Sequence, residues 1–490
     1  MIKKVLVLVD RLYWLWLLFV VPFLLFPSPK RSLVMLVLPA TWILHLVLVR
    51  TDSRSTNHEE GLPTQEKRYG FTVTPMNLAL LLLAVMVLVS IWTTYDISYS
   101  LGKIEGVILG FGVYFAVVRL CEDQRGLWIS LALFTALGLL IAALGLLGTD
   151  WTPITKITSF TEITSHIPGL INGLQGAESG FNANEVAGTL VWIFPATLSF
   201  SAINLLSFRI IKNLFAKIGN LFAGLCLLAI NLFIAAVILL TQSRGAYIGI
   251  AFAILMMIFF GIPKNWKCVF LVGLAILIIV SGMFLSAALE KTRGGLSNIG
   301  LAEDSAFSLD SLQMRFVIWS SAIKGIQDFP FTGMGMNTFR TLIGVLYPNS
   351  ENNSYLGLGH AHNEFLQAGL DLGIPGMIAF ISLYISAFWM LVKTWKTSFL
   401  LKNDQKINNQ DNERRSKLGI LTKGPAIRTI VLGLGGGLLA HLLYGFTDAV
   451  ALGAKPGFVF WMLLAMIAGL FSLIYKSDAL NNQMNEISSK

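Results

Sequence analysis

Long uninterrupted runs of hydrophobic residues are the dominant pattern of this chain. Residues 78–90, 248–261 and 269–284 are apolar on every helical face, so they suit lipid better than the one-sided core of a soluble domain. A helix needs about 20 apolar residues to cross a hydrocarbon layer of ~30 Å, and the pattern predicts an all-α polytopic membrane protein with about 12 transmembrane helices. The predicted spans are residues 5–27, 32–49, 76–94, 102–118, 127–147, 187–204, 221–241, 245–262, 268–288, 373–394, 429–446 and 457–475.

The composition agrees with a membrane protein. Of the 490 residues, 55% are hydrophobic and only 13% are charged, with a mean hydropathy of +0.70, whereas a soluble domain carries about 25% charged residues. The first span has a basic start but no small-residue cleavage site, so it is interpreted as a retained span and not a signal peptide. Cys121, Cys226 and Cys268 lie within spans or at their predicted cytoplasmic ends, which argues against a disulfide framework or a cysteine metal cluster.

The distribution of Lys and Arg residues predicts the orientation in the membrane. With the N-terminus inside, 25 of the 36 basic residues fall on the inner side and 11 on the outer side, as the positive-inside rule requires. We therefore expect a multi-pass protein of the bacterial inner (plasma) membrane, with both termini cytoplasmic. Because the basic loops are ordinary topology determinants, no nucleic-acid partner is predicted.

Two segments on the outer side are longer than ordinary turns, residues 148–186 and 289–372, and loops of such length are usually functional. Leu312, Phe316 and Trp319 recur at helical spacing and predict an amphipathic helix over residues 311–327, lying on the membrane surface. The chain is accordingly divided into an N-terminal transmembrane bundle (1–288), an extracytoplasmic loop (289–372), C-terminal spans (373–475) with a cytoplasmic loop (395–428), and a cytoplasmic tail (476–490).

The most reactive side chains lie where the outer loop re-enters an apolar helix, in Gly-His-Ala-His-Asn-Glu at residues 359–364. An imidazole with its usual pKa of about 6.5 can take a proton at neutral pH, so a general base is predicted in the His360/His362 pair. The spacing of His360 and His362 would also suit a metal, but Glu351, Glu364 and Asp371 form no supporting pattern for a third ligand. A purely structural role of the two histidines is the other alternative, and no metal is predicted.

Two arginines on the same side are candidates for holding an anionic ligand. Arg244 lies at the outer end between two adjoining spans, and Arg315 lies beside the apolar face of the predicted surface helix. A guanidinium stays charged and binds phosphate oxygens in pairs, which suits a pyrophosphate. The alternatives are that Arg244 reaches lipid phosphates and that Arg315 forms a salt bridge with Asp304 or Asp310.

Four further polar residues are weaker candidates for substrate contacts. Asn184 and Glu185 belong to a Gly- and Asn-rich stretch just before a span, where capping of the helix is the simpler explanation for an Asn or Ser. Asn363 follows the histidine pair. Asp448 falls on the outer side after a late span, where solvation of the helix edge is the simpler explanation.

The order of these motifs resembles the O-antigen ligase/polymerase superfamily. The Asn-rich turn is followed by Ser243-Arg244-Gly245-Ala246 and by Arg315-x-x-x-Trp319, which leads to Pro330 and Gly333-x-Gly335. His362-Asn363 then precedes Gly373 by nine residues, with Gly376 two residues beyond, and a closing run extends from Asp448 to Trp461. The resemblance covers about residues 170–465 and is strongest over 312–376.

The resemblance implies a membrane glycosyltransferase fold of the C type that acts without a metal, cofactor or nucleotide sugar. Such enzymes transfer a glycan from undecaprenyl pyrophosphate to an acceptor on the periplasmic face, in lipopolysaccharide or other polysaccharide biosynthesis. In this chain His362 would be the base, and Arg244 and Arg315 would bind the pyrophosphate. The acceptor could be lipid A–core, another lipid-linked glycan or a protein, so ligase, polymerase and protein O-oligosaccharyltransferase all remain open. A transporter or lipid-linked-glycan flippase is the alternative from a different class.

Overall fold

The computed structural model describes residues 73–151, 158–170, 180–207, 214–276, 309–347, 360–400, 424–450 and 452–488, with a few isolated positions between 40 and 47. The regular structure of these residues is helical, apart from an isolated bridge between Thr149 and Phe181. The helices are α1 (Asn77–Thr93), α2 (Ile97–Leu120), α3 (Gln124–Gly148), α4 (Thr158–Ser165), α5 (Ala183–Ser207), α6 (Leu214–Leu240), α7 (Arg244–Gly261), α8 (Leu309–Asp328), α9 (Phe339–Leu346), α10 (Glu364–Leu400), α11 (Gly424–Tyr444) and α12 (Phe458–Ser488), with short 3₁₀ turns at Lys264–Trp266 and Lys455–Gly457.

Helix length and composition confirm a multi-pass, all-helical membrane protein. Eight helices in the described part of the chain are long and apolar enough to cross a membrane, namely α2, α3, α5, α6, α7, α10, α11 and α12, and α1 is a shorter apolar helix. Nine of the predicted spans coincide with these helices. The predicted spans 5–27 and 32–49, and most of 268–288, lie outside the described residues, so the total of twelve stays a prediction.

Three helices pack backbone against backbone through the glycine-rich α11. A Cβ atom on Gly437 would lie 2.2 Å from the Trp192 carbonyl oxygen of α5, and one on Gly249 of α7 would lie 2.3 Å from the Ala440 carbonyl oxygen of α11. Small residues allow such close approach between membrane helices. The close packing brings the N-terminal ends of α5 and α7 beside the C-terminal end of α11.

Helix α10 is kinked at Gly373, whose φ of 68° and ψ of −179° are not helical. The turn after α8 packs into this kink: the Met334 N–H donates to the Leu370 carbonyl at 2.7 Å, and the Ile374 N–H donates to the Pro330 carbonyl at 2.7 Å. The span predicted to begin at residue 373 therefore begins at the kink, but residues 364–372 are already helical. Pro375 lies in the first turn after the kink, where its missing N–H costs little.

A helix over residues 311–327 is confirmed as α8, Leu309–Asp328, and its position on the membrane surface stays a prediction. Its buried side includes Ile318 and Ala322, whereas Phe316 and Ile323 are exposed. An exposed apolar stripe on a helix beside membrane spans suits contact with lipid, which stays a prediction.

Candidate active site

The two histidines and Asp448 meet where α10 begins and α11 ends. The His360 Nε2 atom lies 3.2 Å from Asp448 Oδ1, and the His362 Nδ1 atom lies 3.5 Å from the same oxygen. The Asp448 side chain is 6% exposed, while those of His360 and His362 are 20% and 28% exposed. A buried carboxylate thus lies next to two imidazoles that are partly exposed.

The hydrogen bonds of His360 define its tautomer. The His362 backbone N–H donates to His360 Nδ1 at 3.2 Å, so Nδ1 carries the lone pair and the ring proton of a neutral His360 lies on Nε2, facing Asp448. Burial lowers the pKa of His360 to about 4, more than the Asp448 carboxylate raises it. At neutral pH His360 is therefore an uncharged donor.

Asp448 is the fixed negative charge of the cluster. Burial raises its pKa, but contacts with His362, His360 and the Tyr444 hydroxyl outweigh this and lower the pKa to about 2. The Tyr444 hydroxyl lies 2.8 Å from Asp448 Oδ2 and 2.6 Å from the Asn184 carbonyl oxygen, and can donate its proton to either. Asp448 is therefore ionised at every physiological pH and presents its negative charge to both histidines.

His362 is held in an unusual backbone conformation, with a φ of 46°. A non-glycine residue in the left-handed region costs on the order of 1–3 kcal/mol and persists only where its surroundings impose it. The next residue, Asn363, caps α10: its Oδ1 accepts hydrogen bonds from the N–H groups of Phe365 at 3.0 Å and Leu366 at 3.1 Å. The Asn363 side-chain oxygen is therefore engaged in the fold, and a substrate contact by this residue stays a prediction.

The residue between the histidines is fixed on both sides. The Trp319 Nε1–H of α8 donates to the Ala361 carbonyl at 3.1 Å, and the Ala361 N–H donates to Gln367 Oε1 at 2.8 Å. Gln367 Nε2 in turn donates to Asp371 Oδ1 at 2.8 Å, and Lys103 Nζ lies 3.3 Å from Asp371 Oδ2. Sequence reasoning missed Gln367 and Lys103 as supporting residues, although the i, i+4 spacing of Gln367 and Asp371 on one helix face was a readable signal.

The helices that carry the two candidate arginines contact residues next to this cluster, α8 at Ala361 and α7 at Thr447. Arg315 lies one turn before Trp319 on α8, on the side that faces Ala361. Arg244 is the first residue of α7, and a Cβ atom on the next residue, Gly245, would lie 2.2 Å from Thr447 Oγ1. Their binding of a ligand stays a prediction.

Asn184 and Glu185 lie in the first turn of α5. The cap of this helix is Asn182, whose Oδ1 accepts the Asn184 N–H at 2.8 Å, so the capping role belongs to a neighbouring asparagine. Glu185 lines a small cleft of about 50 Å³ together with Lys455 and apolar residues of α3 such as Ile141. A substrate contact by Glu185 stays a prediction.

His360, His362 and Asp448 also satisfy the ligand requirement of a metal site. One ligand atom from each lies within 4.8 Å of the others, and two imidazoles with one carboxylate form a common metal-binding set. The sequence shows no third ligand at a supporting spacing, because Asp448 is distant in the chain. The same three side chains also form a histidine–aspartate cluster without an ion, and metal independence stays a prediction from the family resemblance.

Comparison with known families identifies the region that carries these residues. A family model described as O-antigen ligase matches residues 229–381. The match contains Arg244, Arg315, His360, His362 and Asn363, whereas Asn184, Glu185 and Asp448 lie outside it. No curated protein sequence matches the chain. The match over residues 229–381 supports the resemblance of the chain to the O-antigen ligase-like superfamily.

Proposed function

We propose that the protein is an inverting, metal-independent glycosyltransferase that transfers a glycan from undecaprenyl pyrophosphate to an acceptor hydroxyl. The reaction takes place on the outer face of the bacterial inner membrane. The observation that carries the proposal is the His362–Asp448 pair, with 3.5 Å between Nδ1 and Oδ1, of which His362 lies in the family-matched region. A base next to a fixed carboxylate is the arrangement that proton removal from a hydroxyl requires.

The orientation of His362 assigns the atom that takes the proton. Its Nδ1 faces Asp448, so Nε2 is available to accept the proton of the acceptor hydroxyl. Asp448 then stabilises the imidazolium by its negative charge, as the carboxylate of a catalytic triad does. A positioned general base of this kind contributes about 10²–10⁴-fold to a rate.

Bond making and breaking need no further proton donor. The acceptor oxygen forms a bond to the anomeric carbon while the bond from that carbon to the pyrophosphate oxygen breaks, and its electron pair leaves with the pyrophosphate. Arg244 and Arg315 provide fixed positive charge where negative charge develops. Direct displacement with a single base inverts the configuration at the anomeric carbon.

The acceptor is assigned with a preference for the ligase reaction, in which the glycan passes to lipid A–core. The spacing from His362-Asn363 to Gly373 and Gly376 resembles the ligase pattern closely. An O-antigen or exopolysaccharide polymerase and a protein O-oligosaccharyltransferase use the same chemistry with another acceptor. A transporter or flippase would move the lipid-linked glycan without breaking its pyrophosphate bond.

The test is a turnover assay with purified protein in lipid bilayers and undecaprenyl-pyrophosphate glycan extracted from the host. We expect release of undecaprenyl pyrophosphate, and a loss of about 10²–10⁴-fold in His362→Ala, since the base is removed. Arg315→Ala and Arg244→Ala should also lose turnover. His166→Ala is the matched control, because His166 is exposed and its Nδ1 contacts only its own turn, at Ser165 and Glu162.

The products and additives separate the alternatives. A lengthened glycan ladder identifies a polymerase, and a glycan on lipid A–core or on a protein identifies the corresponding ligase. A chelator should leave the rate unchanged, because no metal takes part. Full activity of His362→Ala would refute the base assignment, and translocation without release of undecaprenyl pyrophosphate would establish the flippase instead.

A further inference from the structure

Glu364 connects the segment that carries His362 to the loop that carries Asp448. Its backbone N–H donates to the Gly445 carbonyl at 2.7 Å, and its Oε1 accepts the Val450 N–H at 3.1 Å. These two contacts lie on either side of Asp448 in the chain. The loop from residue 445 to 450 is thus attached to the start of α10 at both of its ends.

The second carboxylate oxygen of Glu364 is engaged as well. The Tyr384 hydroxyl donates to Oε2 at 3.3 Å, and His441 Nδ1 lies 3.5 Å from it. Glu364 is 1% exposed and His441 is fully buried, so the side chain has no access to solvent or substrate. A buried carboxylate with both oxygens engaged is held firmly in place.

The loop is shaped to accept this side chain. A Cβ atom on Gly445 would lie 2.9 Å from Glu364 Oε2, closer than a side chain tolerates. The glycine therefore allows the loop backbone to approach the carboxylate.

We propose that Glu364 is a positioning residue that holds the Asp448 loop against His362, so that the base and its carboxylate, which come from different chain segments, act as one unit. The inference rests on the proposed function, because it assigns Glu364 a role in that reaction. Glu364 does not touch the substrate and acts only through Asp448. This role depends on the length of the Glu364 side chain, which brings its oxygen to the Val450 N–H, and not on its negative charge.

Substitutions at Glu364 distinguish the effect of its side-chain length from the effect of its charge. Glu364→Gln keeps an oxygen that can accept the Val450 N–H, and we expect kcat within about threefold of wild type. Glu364→Asp keeps the charge but is one methylene shorter, and Glu364→Ala removes the acceptor. For both, we expect kcat to fall about 10–100-fold, the usual effect of losing a supporting partner, with KM for the donor little changed.

A double-mutant cycle tests whether Glu364 acts through Asp448. If it does, Glu364→Asp combined with Asp448→Asn loses no more activity than Asp448→Asn alone. The matched control is Asn231→Ala, which disrupts a buried polar network with Thr197 and Ser201 between α5 and α6. Combined with Asp448→Asn, this control should give additive losses.

Hydrogen exchange provides a measurement that needs no activity. The amides of residues 445–450 should exchange faster in Glu364→Asp than in wild type, and at the wild-type rate in Glu364→Gln. Unchanged exchange in Glu364→Asp, or additive losses in the cycle, would overturn the inference. A loss in Glu364→Gln as large as in Glu364→Ala would show that the charge of Glu364 is essential, and would also overturn the inference. An inactive wild type with the expected exchange pattern would overturn the proposed function and leave the attachment of the loop established.

Discussion

The chemistry of this protein is concentrated in a few side chains whose protonation is set by their neighbours. Asp448 is ionised, because the contacts from His362, His360 and Tyr444 outweigh the effect of burial on its pKa. His360 is neutral, because burial disfavours its charged form. The carboxylate is therefore shared by a neutral donor and by the proposed base. The strained backbone of His362 is consistent with a residue selected for function.

The pH dependence of stability follows from the lowered pKa of His360. With a pKa of about 4 in the folded protein and about 6.5 in the unfolded chain, only the unfolded state binds this proton between those values. The free energy of unfolding therefore falls as the pH drops from about 6.5 towards 4, by on the order of 2–3 kcal/mol. In His360→Gln, we expect the free energy of unfolding to fall less over this pH range, because this titrating group is absent.

Thermal unfolding in detergent between pH 7 and pH 4.5 measures this effect. The window lies above the range in which Asp448 titrates, so the difference between His360→Gln and wild type reports His360 alone. His166→Gln is the control and should retain the full loss, since His166 is exposed. An equal fall of the unfolding temperature in His360→Gln and wild type would contradict the assignment.

At the level of elements, two glycines allow the turn after α8 to pack against the kink of α10. Gly333 has a φ of 69° and packs on Gly373, where a Cβ atom would lie 2.5 Å from the Gly373 nitrogen. Gly373, with a φ of 68°, leaves equally little room, since a Cβ atom would lie 2.7 Å from the Phe331 carbonyl carbon. Glycine is therefore required on both sides of this crossing, which fixes the end of α8 against α10. Through Trp319, the same helix fixes the Ala361 carbonyl between the histidines.

Substitution of Gly373 tests this junction. Gly373→Ala places a methyl group against backbone in a conformation that is essentially restricted to glycine, so we expect a loss of stability of at least about 1–3 kcal/mol. Turnover should fall with it, because α8 and His362 lose their common support. Gly344→Ala is the control: no atom lies within 4 Å of an added Cβ, and alanine in a helix is favoured over glycine by about 1 kcal/mol. A Gly373→Ala variant as stable as the control would refute the role of the crossing.

At the scale of the whole molecule, close packing of α5, α7 and α11 brings distant chain segments to one end of the helix bundle. The N-terminal turns of α5 and α7 and the loop after α11 meet there with the start of α10. The side of the membrane on which this end lies follows from the positive-inside rule and is a prediction.

Cysteine labelling tests the orientation. Cys226 and Cys268 are exposed, and Cys121 is buried. With Cys226→Ser, we expect a membrane-impermeant maleimide to label Cys268 in inverted vesicles only, because residue 268 begins a span at its predicted cytoplasmic end. In a variant that combines Cys226→Ser, Cys268→Ser and Ser320→Cys, the maleimide should label the protein in right-side-out vesicles only. The reason is that Ser320 is exposed on α8 and lies in the predicted outer loop. Labelling of both variants from the same side would contradict the topology.

The pattern of the sequence was sufficient to predict the class of the protein, the places of eight candidate membrane helices and of the shorter apolar helix α1, and the helix α8. Local hydrophobicity and periodicity are sufficient for these, because a helix in lipid satisfies its own backbone hydrogen bonds and needs no distant partner. The same reasoning placed the start of α10 at residue 373, since nothing local reveals that Asn363 caps a helix before the kink.

Which residues lie next to each other in the site depends on the packing of the helices in the tertiary structure. Asp448 was a weak candidate in isolation, and its pairing with His360 and His362 depends on how α11 packs against α5 and α10. The roles of Glu364 and Lys103 could not be predicted, because their partners Val450 and Asp371 are contributed by distant segments of the chain. Contacts between segments far apart in the chain follow from the shapes of several helix faces at once, and a single sequence shows each face without its partner.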